Sequence, residues 1–212
     1  MNNIIIGIVA RDEEINKTKY QAITKNNLKY LHNKCNYIGI LNYDNKTNIN
    51  TDILNICDGI IFQGGSNIYE YHFDILKYAI ERKIPVLGIC MGHQIIGIYS
   101  NNQKEEDLVK VNNHYTLTNT HKININKNSI LYNLFGKQIN VNSRHLYKLE
   151  KVTKPFIISA YSDDNTIEAI EFIDKDHFIL GVQWHPEDMT DMNCLYDTFI
   201  NEIKRRKNKI IN

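Results

Sequence analysis

Pro85–Gln94 reads PVLGICMGHQ, and this stretch decides the fold. An apolar run from Pro85 to Ile89 has the make-up of a strand, and Gly92 to about Ser100 that of a helix. A strand that turns at once into a helix is the unit of an α/β sheet. Glycines at 88 and 92 are what such a turn needs. The backbone is strained at its apex, neighbouring chain comes close, and side chains on the flanks would collide. Cys90 sits at that apex, at a helix N-terminus, where the dipole favours negative charge on sulfur. On this stretch alone, Cys90 fits a small buried hydrophobe and a nucleophile equally well.

Working outward toward the N-terminus, Asn3–Val9 (NIIIGIV), Tyr37–Leu41 and Asp58–Phe62 (DGIIF) are further strand candidates. The first is a continuous β-branched run, as expected of a strand buried on both faces. Tyr20, Ile23, Leu28 and Leu31 predict an amphipathic helix over 20–31, and Leu76 and Ile80 predict one over Asp74–Arg82. The alternation predicts an α/β fold: an open, mainly parallel sheet with flanking helices. Toward the C-terminus the pattern changes. Val109–Val111, Thr120–Ile125, Gln138–Val141, Phe156–Ala160, Thr166–Ile173 and Phe178–Gln183 are short strand-like runs divided by turn material. Antiparallel strands added to the parallel sheet fit best. Leu195, Phe199 and Ile203 predict a closing helix from Met192 to about Lys207, whose basic end, Lys204–Lys207, suits a helix C-terminus. No linker, repeat or low-complexity tract interrupts residues 1–212 beyond a general richness in Asn, so a single domain is expected.

Composition excludes several classes. The 212 residues carry a net charge of +1, with 42% hydrophobic and 23% charged residues. That gives no global field for nucleic acid or an anionic membrane. No apolar run approaches the ~20 residues of a membrane span, and the opening MNNIIIGIVARDEE lacks a basic signal region. Cys35, Cys57, Cys90 and Cys194 lie far apart without a CxxC pair, and the histidines are dispersed. Neither a metal site nor a cofactor is expected, and a cytoplasmic setting with free thiols is the simplest reading.

Two more elements bear on Cys90. In Val182–Glu187 (VQWHPE), His185 and Glu187 stand two apart around a proline. In an extended segment both would face the same side, so the carboxylate could hold one imidazole nitrogen while the other faces a thiol. After the strand DGIIF comes Gln63-Gly64-Gly65-Ser66. Adjacent glycines there let backbone N–H groups approach a substrate, and with the Met91 N–H could form an oxyanion hole. The three elements occurring together move Cys90 to nucleophile.

In this order and spacing, GICMGHQ, FQGG and GVQWHPE resemble class I glutamine amidotransferases of flavodoxin-like fold, the Cys-His-Glu group. Val141-Asn142-Ser143-Arg144-His145 resembles the VNSxH motif of the γ-glutamyl-γ-aminobutyrate hydrolase-like (peptidase C26) branch. The resemblance implies Cys90, His185 and Glu187 as catalytic residues and the N–H groups of Gly65 and Met91 as oxyanion donors. It implies Gly64, Gln94, Asn142, Ser143 and His145 as substrate-binding. The activity implied is hydrolysis of a small γ-glutamyl amine or of glutamine through a γ-glutamyl thioester. The alternative is a glutaminase subunit delivering ammonia to a separate synthase; a non-catalytic binding domain is a third reading. A small-molecule γ-glutamyl substrate and a synthase subunit are the partners in view, with a homodimer left open. The chain departs from the branch at Met91, where Arg is common, at Leu146, where a second His is common, and in a short loop after Gly65. Tyr69, Tyr71 and His72 are candidates to replace part of the pocket wall.

Overall fold

The computed structural model describes residues 4–43, 49–102 and 108–211. A nine-stranded sheet runs through both halves of the chain. Its parallel part is built from β1 (Ile5–Val9), β4 (Asn36–Ile40), β5 (Gly59–Phe62), β6 (Val86–Ile89) and β13 (Ile179–Val182). Its antiparallel part is β12 (Ile167–Phe172), β11 (Phe156–Ser162), β8 (Tyr115–Ile125) and β9 (Gln138–Arg144). The order is β4-β1-β5-β6-β13-β12-β11-β8-β9, so β13 joins the two parts, parallel to β6 and antiparallel to β12. Two small sheets lie outside: the hairpin β2 (Arg11–Ile15) with β3 (Thr18–Ala22), and β7 (Leu108–Lys110) with β10 (Tyr147–Leu149).

Helices cover both faces. α2 (Glu70–Glu81) and α3 (Met91–Ser100) lie on one, together with the short α1 (Thr51–Asn55). α4 (Ile130–Phe135) and α5 (Asn193–Ile211) lie on the other. Strand residues alternate between the layers: Ile60, Phe62 and Val86 pack toward α2 and α3, while Ile61, Leu87 and Leu180 pack toward α5. Leu195, Phe199 and Ile203 form the buried stripe of α5, each contributing on the order of 1.5–3 kcal/mol by leaving water.

The predicted fold class stands, with local corrections. Residues 20–31 are not one helix. Tyr20 belongs to β3, and only a 3-10 turn at Lys25–Leu28 follows. Asn16 and Lys17, both at positive φ, close the β2–β3 hairpin as a two-residue turn. The helical spacing of Tyr20 was coincidental, since its ring is largely exposed on the hairpin. Predicted strand Asn3–Val9 begins at Ile5; Asn3 itself lies outside the described residues. Strand 109–111 is shifted to Leu108–Lys110, and α1, α4 and β10 were not anticipated.

Candidate active site

The parallel strands β5, β6 and β13 lie side by side, and their C-terminal ends meet at one edge, where open α/β sheets place their ligands. Each delivers one part of the site. β6 ends on Cys90, whose backbone adopts φ 52, ψ −100, a sparsely populated conformation for a residue with a side chain. It is held there by an N–H···O bond to Val182 O (2.8 Å) and by the start of α3 at Met91. The flanking glycines are required by packing. A Cβ on Gly88 would lie 2.7 Å from the Gly92 carbonyl, and one on Gly92 would lie 2.3 Å from Phe62 O. Met91 is the first residue of α3, so its N–H has no acceptor within the helix.

β5 leads into Gln63-Gly64-Gly65. The buried Gln63 side chain fixes this loop, donating to Val9 O and Ala22 O (both 2.9 Å) and accepting from Thr24 N and Asn27 Nδ2. Gly64 lies against both His185 and Cys90: a Cβ there would come 2.6 Å from His185 Cε1 and 3.5 Å from Cys90 Cβ. Gly65 packs on the thioether of Met91, at 2.9 Å from an added Cβ. Arg11, from β2, donates to Gly64 O (3.2 Å) behind the loop.

β13 leads into Gln183, Trp184 and His185. His185 Nδ1 meets Glu187 Oε1 at 2.7 Å, which leaves Nε2 for the neighbouring Cys90. The segment is not extended, as the sequence had suggested. Pro186–Asp188 form a 3-10 turn, and the carboxylate folds back onto the ring. Burial would lower the His185 pKa, but the hydrogen bonds from Cys90 and Glu187 outweigh it and push it up to about 10. Burial pushes the Cys35 and Cys57 thiols up to about 11 and raises Cys194.

The structure thus brings Cys90, His185, Glu187, Gly64, Gly65 and Met91 together. The side chains of Gln94, Asn142, Ser143 and His145 are engaged within the protein. Gln94 Nε2 donates to Tyr147 O (2.9 Å) and to Gln183 Oε1 (3.3 Å). Asn142 bonds the backbone of His185. Ser143 and His145 are buried beside His114. Of the three wall candidates, Tyr71 and His72 are buried in the α2 layer. Only Tyr69 lines a groove, of about 860 Å³, against the β2–β3 hairpin, with its hydroxyl on Asp12.

Sequence reasoning missed Arg11 and Gln183, whose Nε2 lies 3.7 Å from Cys90 Sγ. Both are placed by the pairing of strands distant in sequence, which no local spacing encodes.

Fold and site define an α/β protein with a cysteine on a strand–helix elbow and a histidine–carboxylate pair at the same sheet edge. The peptidase C26 family model matches residues 69–187. The chain belongs to that family, within the class I glutamine amidotransferases, and is an enzyme of that type. It is 31% identical over 142 residues to Protein NtpR of Enterococcus hirae, covering 60% of this chain and 59% of that one. It is 31% identical over 163 residues to a glutamine-hydrolyzing GMP synthase subunit of Picrophilus torridus, covering 74% of this chain and 82% of that one. In fold it is similar to the glutaminase domain of Trypanosoma brucei CTPS solved with bound acivicin (TM-score 0.68, 17% identity, 96% and 94% covered). Among the described residues, no helix is long and apolar enough to cross a membrane.

Proposed function

We propose that the chain hydrolyses the γ-glutamyl amide bond of a small γ-glutamyl amine or of glutamine through a thioester on Cys90. The observation that carries this reading is the meeting of the Cys90 elbow with the hydrogen-bonded His185–Glu187 pair around Gly64, at the edge where β5, β6 and β13 end. His185 holds the proton drawn from the thiol as Cys90 Sγ attacks the γ-carbonyl carbon. His185 then protonates the departing amine as the C–N bond breaks, leaving the γ-glutamyl thioester. Water, deprotonated by His185, attacks the thioester carbon; the C–S bond breaks, glutamate is released, and the sulfur with the proton on His185 restores the starting pair. Glu187 keeps the proton-bearing nitrogen of His185 in place. The N–H groups of Met91 and Gly65 face the carbonyl oxygen as it gains charge, an interaction worth about 2.7–4 kcal/mol per donor in such sites. Gly64 lines the space between sulfur and imidazole. Gln94, Asn142, Ser143 and His145 act through the framework that holds these groups.

A glutaminase subunit serving a separate synthase is the second reading, favoured by the relative named for GMP synthase and the extent of its match. The same residues would run the same half-reaction, with ammonia passed on. Assaying the purified chain alone on a panel of γ-glutamyl amides separates the two. Turnover of one amide at an ordinary enzymatic rate supports the hydrolase. Turnover of glutamine only after a synthase partner is added supports the second reading, and no thioester chemistry under either condition overturns both.

A further inference from the structure

Histidines that are dispersed in the sequence converge on the antiparallel half of the sheet. His114 stands just before β8, His145 just after β9, and Glu168 lies in β12. His114 Nδ1 is 3.0 Å from His145 Nε2 and 3.5 Å from Glu168 Oε1, and His145 Nε2 is 3.8 Å from that same oxygen. All three residues are buried.

The proton count around these atoms does not close. His145 Nδ1 lies 3.0 Å from Tyr147 O, a carbonyl that can only accept, so this nitrogen carries hydrogen. His114 Nε2 lies 3.0 Å from the Asp164 carboxylate, so it too carries hydrogen. A neutral imidazole has a single N–H. His114 Nδ1 and His145 Nε2 therefore present lone pairs to each other and to a carboxylate oxygen. The Ser143 hydroxyl, 3.2 Å from His114 Nδ1, has its single proton placed toward His114 O at 2.7 Å. His121 Nε2 donates to Glu168 Oε1 at 2.9 Å, yet Glu168 Oε2 is buried with no hydrogen-bond partner. Three acceptor atoms facing one another call for a cation among them.

We propose that His114, His145 and Glu168 hold a divalent transition-metal ion of the zinc class. Tetrahedral zinc with bonds of about 2.0–2.1 Å sets its ligand atoms roughly 3.3–3.4 Å apart. The observed separations of 3.0, 3.5 and 3.8 Å bracket that value. Each imidazole already donates its second N–H to a carboxylate or a carbonyl, the outer arrangement that orients metal-bound histidines. A single proton could serve the N···N contact, whereas a divalent ion serves all three atoms and offsets the carboxylate. The Ser143 hydroxyl, 3.2 Å from His114 Nδ1, would be one candidate for a fourth ligand. Access runs past Asp164, which is half exposed. The ion would tie β8, β9 and β12 together outside the Cys90 site. Its influence would reach α3 through Tyr147 O, which accepts from both His145 Nδ1 and Gln94 Nε2. Among the described residues, the second convergence of metal-ligating groups, His185 with Glu187 and Asp188, belongs to the candidate active site.

The test is a titration of the chelator-stripped full chain with Co²⁺, read by visible absorption and by melting temperature. The expected result is uptake of about one equivalent with tetrahedral bands, displacement by Zn²⁺, and a raised Tm. His145→Ala should weaken binding by about 100-fold or more, and Asp164→Asn, which keeps the ligands, by about 10–100-fold. Cys90→Ser and the exposed-site control His32→Ala should bind as the parent does. The proposal is overturned by absence of uptake. It is equally overturned by uptake that survives His145→Ala but not Cys90→Ser, or by a Tm that follows pH and ignores metal.

Discussion

Asn142 grips the peptide of His185 from both sides. Its Nδ2 donates to His185 O at 2.8 Å and its Oδ1 accepts from His185 N–H at 2.8 Å. A residue of β9, four strands away from β13 in the sheet, thereby fixes the backbone of the imidazole beside Cys90. Asn142→Ala should cost about 1–3 kcal/mol of stability from two lost hydrogen bonds. It should also lower kcat/KM by roughly 100-fold, the scale on which a displacement of about 1 Å acts. Asn142→Asp keeps the acceptor but sets a carboxylate oxygen against His185 O, and it should be no better. Kinetics with parallel thermal melts check this. Full activity in Asn142→Ala would remove the residue from the positioning framework.

The elbow stores strain at Cys90, at φ 52. Such conformations cost about 1–3 kcal/mol for a residue with a Cβ, and glycine is relieved of that cost. Cys90→Ala and Cys90→Gly should both abolish turnover, by roughly 10⁴-fold or more, while keeping the fold. Cys90→Gly should also melt above Cys90→Ala by about 2–10 °C. Equal melting temperatures would mean that the surrounding contacts, and not the dihedral, set the conformation.

How much of this was legible follows from what each feature depends on. Buried parallel strands such as β5 and β6 are continuous apolar runs, so the order of elements around Cys90 could be read directly. The β2–β3 hairpin could not, because none of its residues is fully buried and its polar strands carry no two-fold alternation. Its one cue was Asn16 in the turn. Cys90, His185 and Glu187 announce themselves through local motifs. The Asn142 clamp, the Gln183 contact to sulfur and the Arg11 brace arise from pairing distant strands, and no local spacing encodes them.

Selective alkylation should follow from the placement of Cys90 beside His185 and from the burial of the remaining thiols. Cys35 and Cys57 are pushed up to about 11, and Cys194 is raised, by burial. At neutral pH they stay protonated and unreactive. A glutamine-like electrophile such as acivicin should modify Cys90 alone, as read by peptide mass spectrometry. Modification should fall by roughly 10-fold or more in His185→Ala, which removes the base. Labelling spread over Cys35, Cys57 or Cys194 would count against the nucleophile.

The last prediction concerns pH. His185 is raised to about 10, with its hydrogen bonds to Cys90 and Glu187 outweighing burial. An imidazole raised above its unfolded value of about 6.5 contributes stability that is fully present below that pH and lost as pH climbs through 10. Glu187→Gln removes the carboxylate at 2.7 Å and should lower the folded-state value toward the ordinary one. Three shifts should move together. The His185 ring resonance should titrate at lower pH by NMR. The alkaline fall in stability should begin earlier. The alkaline limb of kcat should move toward neutrality, with kcat itself down by about 100-fold or more. Cys90→Ala should shift the NMR midpoint in the same direction, since the hydrogen bond to sulfur also holds the imidazolium. A midpoint unmoved in Glu187→Gln would show that the carboxylate does not govern the charge of His185.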